Sequence, residues 1–143
     1  MKAKRWRSLT AVLGLVVLLL GSGCSNSPTE TFNRFCKAIE KEDLEGLNDL
    51  TCSDQRIDLN EAHKREELLR FLRAFKNEAK TMQPFYEEFF TAEDPKEGKI
   101  AGARVYYFVG EPKRARRGGS KRDIQTATFV KEGRHWKLLD IDD

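Results

Sequence analysis

The spacing of apolar residues changes once along the chain, near Pro84, and this change constrains the fold more than any other feature. Before Pro84, apolar residues recur at the i, i+3, i+4, i+7 intervals of an amphipathic helix, first at Phe32, Phe35, Cys36 and Ile39. After Pro84, the chain has runs of β-branched and aromatic residues separated by turn residues, which is typical of strands. The sequence therefore predicts an α+β domain, with N-terminal helices on one face of an antiparallel sheet.

Three helices are predicted. The first begins with a capping box, in which Ser27 caps the helix, Pro28 takes its first position and Glu30 closes the box. A shorter helix is expected to start at Asp43, and Gly46 should weaken it by about 1 kcal/mol relative to alanine. The longest is predicted over 59–82 and should end before Pro84. It has an apolar stripe, with Phe71 beside it, at Leu68, Leu72, Phe75, Ala79 and Met82.

Strands are predicted over 104–109, 123–130 and 135–141. A tight hairpin turn is expected at Glu132-Gly133, between the last two strands. The segment 85–90 fits either a further strand or a last helical turn, and turn residues follow it at 94–98.

The first 23 residues have the three parts of a secretory signal: a basic start, an apolar run over 9–20 and small residues at 21–23. A helix that crosses the bilayer needs about 20 apolar residues, so this run is short for a membrane span. We therefore interpret residues 1–23 as a cleaved export signal.

Cysteine follows the small residues directly. Ser22-Gly23-Cys24 resembles the end of the bacterial lipoprotein signal, in which the cysteine is diacylated and becomes the new N-terminus. Gly21 stands where that family usually has leucine, which leaves ordinary signal-peptidase cleavage as an alternative. The resemblance implies lipidation of Cys24. The helix cap expected at Ser27 then leaves a tether over 24–27, followed by a single domain over 28–143. It also implies a cell-envelope location, on the periplasmic side of the outer membrane in a two-membrane bacterium.

Charge does not favour nucleic acid as a partner. The chain has 26 basic and 23 acidic residues, and removing the four cations of residues 1–23 leaves 22 basic against 23 acidic. The 120 residues that remain are enough for one ordinary core. No cofactor motif is visible, and no metal site is predicted because two cysteines and two distant histidines lack zinc-ligand spacing.

The order of elements resembles the nuclear-transport-factor-2-like superfold, also called cystatin-like or ketosteroid-isomerase-like. The phrases SPTETFNRFCKAIEKEDLEGLNDL and ATFVKEGRHWKLLDID carry this resemblance, which covers about residues 28–141. It is strongest to the small bacterial lipoproteins of that superfold whose function is not established. It implies a strongly curved sheet wrapped against the long helix, in a cone with a pocket.

Cys36 and Cys52 form a candidate disulfide. If the first two helices fold back on each other, a bridge would close a loop of about 15 residues, worth about 3 kcal/mol in the chain-entropy model. An oxidising compartment permits it. The alternative is two buried thiols that act as small hydrophobic side chains.

A basic segment with two glycines is predicted to form a loop between strands. It is either a solvated connection or an anion-binding loop for lipid phosphate or an acidic partner. Its cations are Lys113, Arg114, Arg116, Arg117, Lys121 and Arg122.

The resulting functional hypothesis is a lipid-anchored envelope protein that binds a partner protein or a small ligand without chemistry. The alternative is a small-molecule pocket enzyme of the isomerase or dehydratase type. Its candidate acid–base groups are Asp123, Asp140, Glu87 and Glu88. Tyr106 and Tyr107 alternate across one strand, so one of them is expected to face inward, where core packing is its default role. No spacing selects a catalytic pair, so no catalytic residue is assigned.

Overall fold

The computed structural model describes residues 27–94, 98–110 and 122–142. Within them, helices precede strands, as the change of period predicts. The helices are α1 (Pro28–Glu40), α2 (Leu44–Leu50) and α3 (Ala62–Ala79), with a 3-10 turn at Ser53–Gln55. The strands are β1 (Gln83–Asp94), β2 (Gly98–Val109), β3 (Asp123–Glu132) and β4 (His135–Asp142).

Helix α1 begins at the predicted capping box. The backbone N–H of Glu30 donates to the Ser27 hydroxyl at 3.1 Å, and the Ser27 N–H donates to the Glu30 carboxylate at 3.4 Å. The predicted apolar face of the helix is buried. Helix α1 therefore supplies the side chains that cover the centre of the sheet.

Helix α2 begins at Leu44, and Asp43, where the sequence predicts the start of the helix, is its N-cap. Gly46 takes part in that cap. The Gly46 N–H donates to the Asp43 carboxylate at 3.0 Å. A Cβ at residue 46 would lie 2.4 Å from that carboxylate, so a larger residue would displace the cap. The sequence predicts only that Gly46 destabilises the helix. The structure also shows that a residue without a side chain leaves room for the Asp43 cap.

Helix α3 is shorter than predicted, spanning 62–79 instead of 59–82. It ends because a turn at Lys80 and Thr81 leads straight into β1, which contains Pro84. Leu72 and Ala79 are buried, but Phe71 and Phe75 are 41% and 37% exposed. The helix packs mainly on α1, whereas α1 also contacts β1, β2 and β4.

The four strands form one antiparallel sheet in the order β1-β2-β3-β4. The ambiguous segment 85–90 belongs to β1, where Phe85 is the extra residue of a β-bulge. The last hairpin turn lies one residue later than predicted, because Glu132 pairs with His135 and the turn is Gly133-Arg134. Gly133 has φ +60°, a conformation that glycine adopts without strain.

Alternate residues of the strands point to the helices and form the core. Ala103, Val105 and Tyr107 of β2 and Phe129 of β3 are completely buried there. Phe32 of α1 packs on Tyr107, with ring centroids 4.5 Å apart. The predicted arrangement of helices on one face of an antiparallel sheet is thus confirmed.

The opposite face, which we call the outer face, carries aromatic side chains in pairs. The Phe85 and Phe108 rings stack with centroids 4.2 Å apart, and Tyr86 lies 5.6 Å from Tyr106. Three of its apolar or aromatic side chains are about half exposed: Phe85, Tyr86 and Ile124.

Candidate functional site: an apolar cavity beneath helix α3

An apolar cavity of about 190 Å³ lies between α1, α3 and the sheet. It exists because α3 rests on α1 and does not close onto the strands. Its principal walls are Phe35, Ile39, Phe71, Phe75, Met82 and Ile141.

Two aromatic rings of α3 form the solvent-facing wall of this cavity. The Phe71 and Phe75 rings lie 4.6 Å apart and remain partly exposed. They follow one another at i, i+4, so both rings lie on the same side of the helix. An apolar ligand would therefore cover rings that the protein itself leaves in contact with water.

A second apolar cavity, of about 180 Å³, adjoins the first. Phe35, Phe71 and Ile141 line both cavities, and the second continues toward Leu68 and Ile57. The two together make an elongated apolar space along α3.

Few polar groups reach the first cavity. Tyr107 is fully buried, and its hydroxyl donates to the side-chain oxygen of Gln125 at 3.0 Å. Glu78 is the only acidic residue among the described residues that line the cavity. The arrangement suits the binding of an apolar group with limited polar recognition.

A polar basin of about 630 Å³ lies at the Met82 end of the cavity. Met82 lines both spaces, so the basin lies next to the apolar cavity. The described residues of the basin include two cations, Lys80 and Arg122, and no carboxylate. The Arg122 guanidinium donates to the Gln83 side-chain oxygen at 2.9 Å and lies 5.7 Å from the centre of the Phe108 ring.

Several predicted site residues lie outside the described residues. They are Cys24, Lys113, Arg114, Arg116, Arg117 and Lys121. Their roles stay predictions. Arg122 is the described member of the basic segment, and the structure places it in the polar basin.

The predicted disulfide is absent, since Cys36 and Cys52 are both buried free thiols. The Cys36 sulfur contacts the Met82 sulfur at 3.8 Å, whereas the Cys52 backbone N–H donates to the Leu138 carbonyl at 2.9 Å. The two cysteines thus have different neighbours, and the alternative of two small hydrophobic side chains describes them better. Burial raises the pKa of the Cys36 thiol to about 12 and also raises the pKa of Cys52.

The candidate acid–base residues do not form a pair. Glu87 accepts hydrogen bonds from the backbone N–H and the hydroxyl of Thr29, at 3.1 and 2.7 Å, and so joins β1 to the first turn of α1. Glu88 accepts from the Tyr106 hydroxyl at 3.0 Å. Of the two tyrosines, Tyr107 is the inward-facing one, as the alternation along β2 requires.

Sequence reasoning missed the cavity walls on α3. The available signal was Phe71, which the sequence places beside the stripe. With bulky apolar residues at 71, 72 and 75, the apolar face of the helix is too wide for all three side chains to pack into the core.

Within the ranges that the structure describes, no helix has the length and apolar character needed to cross a bilayer. The same ranges contain no group of three or more histidine, cysteine, aspartate or glutamate side chains that could hold a metal ion. Comparison with family models, with curated proteins and with solved structures finds no match to this chain.

Proposed function

We propose that this chain is a lipid-anchored protein of the bacterial cell envelope whose domain binds an apolar ligand beneath α3. The anchor is the diacylated Cys24, exposed when residues 1–23 are removed. The observation that carries the binding role is the pair of adjoining apolar cavities, with Phe71 and Phe75 left partly exposed at their mouth.

A nuclear-transport-factor-2-like fold is part of this proposal. The described residues support it, since in them three helices are followed by a four-stranded antiparallel sheet. So does the contact between Phe89 of β1 and Trp136 of β4, whose ring centroids are 5.8 Å apart. Neighbouring strands are spaced by about 4.8 Å, and these two strands are the edges of the sheet, so a contact across it favours strong curvature.

Binding is favoured over catalysis because the candidate groups already have structural partners. The Tyr107 hydroxyl donates to Gln125, and Glu87 binds the start of α1. The alternative, an isomerase- or dehydratase-type enzyme, draws on Glu78, which lines the same cavity as Tyr107.

The basic segment is proposed to contact anionic lipid or an acidic envelope partner. Only two residues lie between Cys24 and the cap at Ser27, and an extended residue spans at most about 3.6 Å. The domain would then sit near the bilayer, where each cation gains about 1 kcal/mol from anionic headgroups. Replacing the six cations with glutamine should weaken binding to anionic vesicles.

The anchor is tested by mass spectrometry of the protein isolated from membranes. We expect the chain to begin at residue 24, with acyl chains on Cys24, and Cys24→Ala to leave the membrane fraction. An unmodified residue 24, or an intact leader, would contradict the anchor.

The binding role is tested with the full chain in phosphatidylcholine nanodiscs and a photoreactive dodecanol. We expect peptides of α1, α3 and the end of β4 to be labelled above the peptides of β1, none of whose described residues lines either cavity. Equal labelling of all exposed peptides would contradict a defined cavity.

A further inference from the structure

We propose that the ligand is a single-chain amphiphile with an anionic head. Its tail occupies the two cavities beneath α3, and its head lies in the polar basin against Lys80 and Arg122. This inference rests on the proposed function, because it names the class of ligand for the same cavity.

The shape of the apolar space fits one chain. The adjoining cavities of about 190 and 180 Å³ share three walls and extend along α3. A methylene group occupies about as much space as a water molecule, about 30 Å³, so they hold a chain of about a dozen carbon atoms. A compact ring system would fill one cavity and leave the other empty.

The charge at the Met82 end sets the head group. Lys80 and Arg122 line the basin, and no carboxylate opposes them among its described residues. The hydrogen bond from Arg122 to Gln83 holds the guanidinium in place. A guanidinium has five N–H donors, so others are available to an anionic oxygen. The structure thus places fixed positive charge where an apolar tail would end.

Glu78 determines which end of the ligand can occupy the apolar cavity. This acidic residue lines the apolar cavity and not the basin. The negative charge of Glu78 would repel an anionic head group, whereas the uncharged hydrocarbon tail of the ligand can lie beside it without that repulsion. The head is therefore excluded from the cavity and directed to the basin.

The test uses the full chain in phosphatidylcholine nanodiscs with four photoreactive twelve-carbon probes. Their heads are phosphate, carboxylate, hydroxyl and trimethylammonium. We expect the anionic probes to label α3 and β4 peptides at concentrations about tenfold lower than trimethylammonium, as charge-assisted hydrogen bonds predict. Labelling by both anions supports binding of fatty acids as well as phosphate amphiphiles, and labelling by phosphate alone restricts the ligand to the latter.

The double variant Lys80→Gln/Arg122→Gln should abolish the preference for anions while the hydroxyl probe still labels the cavity. The matched control, Arg65→Gln/Arg70→Gln, removes two exposed cations of α3 that do not line the basin, and it should keep the preference. Equal labelling by all four probes in the unmodified protein would contradict the proposal of an anionic head group, while binding of an apolar ligand in the cavity would still be supported. Absence of cavity labelling by every probe would overturn the proposed function as well.

Discussion

The two faces of the sheet accommodate apolar surface in different ways. On the helix side, Tyr107 and Phe129 are completely buried, yet cavities remain where α3 stands away from the strands. On the outer face no helix covers the strands in the described structure, and the aromatic side chains cover each other in pairs.

This difference shows why the binding space lies on the better-buried face. A concave apolar space needs walls on more than one side, and α1, α3 and the sheet supply them. The outer face has as much aromatic character but only one wall. A ligand site therefore requires a space that is enclosed on several sides. A surface rich in aromatic side chains is not sufficient.

The largest expected effect concerns core packing. Phe32→Ala should lower the free energy of unfolding by about 3–5 kcal/mol, because it opens a void against Tyr107. The matched variant on the outer face is Phe85→Ala, whose half-exposed ring should cost less than about 1.5 kcal/mol. Urea unfolding of both variants measures the contrast. Equal losses would show that the two faces do not differ as described.

The next effect concerns the buried thiol of the helix side. Burial raises the pKa of Cys36 from 9.0 to about 12, so the thiolate at pH 8 should be about a thousandfold scarcer than for an ordinary thiol. We expect Cys36 to resist alkylation in the folded chain and to react once unfolded. Stability from this group is present below pH 9 and is lost as pH rises toward 12.

The same experiment counts thiols. In urea without reductant, Cys36 and Cys52 should both be alkylated, since neither is bridged. Recovery of one disulfide per chain would restore the sequence-based prediction and contradict the structure.

A smaller effect separates two adjacent carboxylates on opposite faces. Glu87→Ala removes the acceptor of two hydrogen bonds at the start of α1 and should cost about 1.5–3 kcal/mol. Glu88→Ala removes one hydrogen bond, from Tyr106 on the outer face, and should cost less than the loss of the two bonds of Glu87. The midpoints of urea unfolding measure which variant is less stable. A greater loss of stability in Glu88→Ala would contradict the role of Glu87 in joining β1 to α1.

The smallest effect is a titration on the outer face. The hydrogen bond to Glu88 raises the pKa of Tyr106 above its usual value of 10.0. The stability linked to it is present below pH 10 and is lost as pH rises through the raised pKa. Glu88→Gln should bring the Tyr106 pKa back toward 10.0, as followed by phenolate absorbance. An unchanged titration would exclude this hydrogen bond as the cause.

The sequence predicts those features of the fold that depend on local chemistry. The capping box at Ser27, the start of a helix at Asp43 and the alternation that buries one of Tyr106 and Tyr107 are all confirmed. The end of α3 was predicted too late, because Pro84 gives the last residue at which a helix must have ended and not where this one ends.

The cavity could not be predicted, because it depends on the distance between α3 and the sheet, which no periodicity encodes. The disulfide prediction was wrong for a similar reason. Sequence separation and compartment permit a bridge, but the neighbours of each thiol are set by tertiary packing.

The most direct test of the account fills the cavity and compares the result with the same change on the outer face. Ile141→Trp places a large ring where both cavities meet, and Ile124→Trp places one on the outer face. Circular dichroism verifies that both variants are folded, and labelling by photoreactive dodecanol measures binding. We expect cavity labelling to fall about tenfold or more in Ile141→Trp and to be unchanged in Ile124→Trp. Undiminished labelling in a folded Ile141→Trp variant would contradict it.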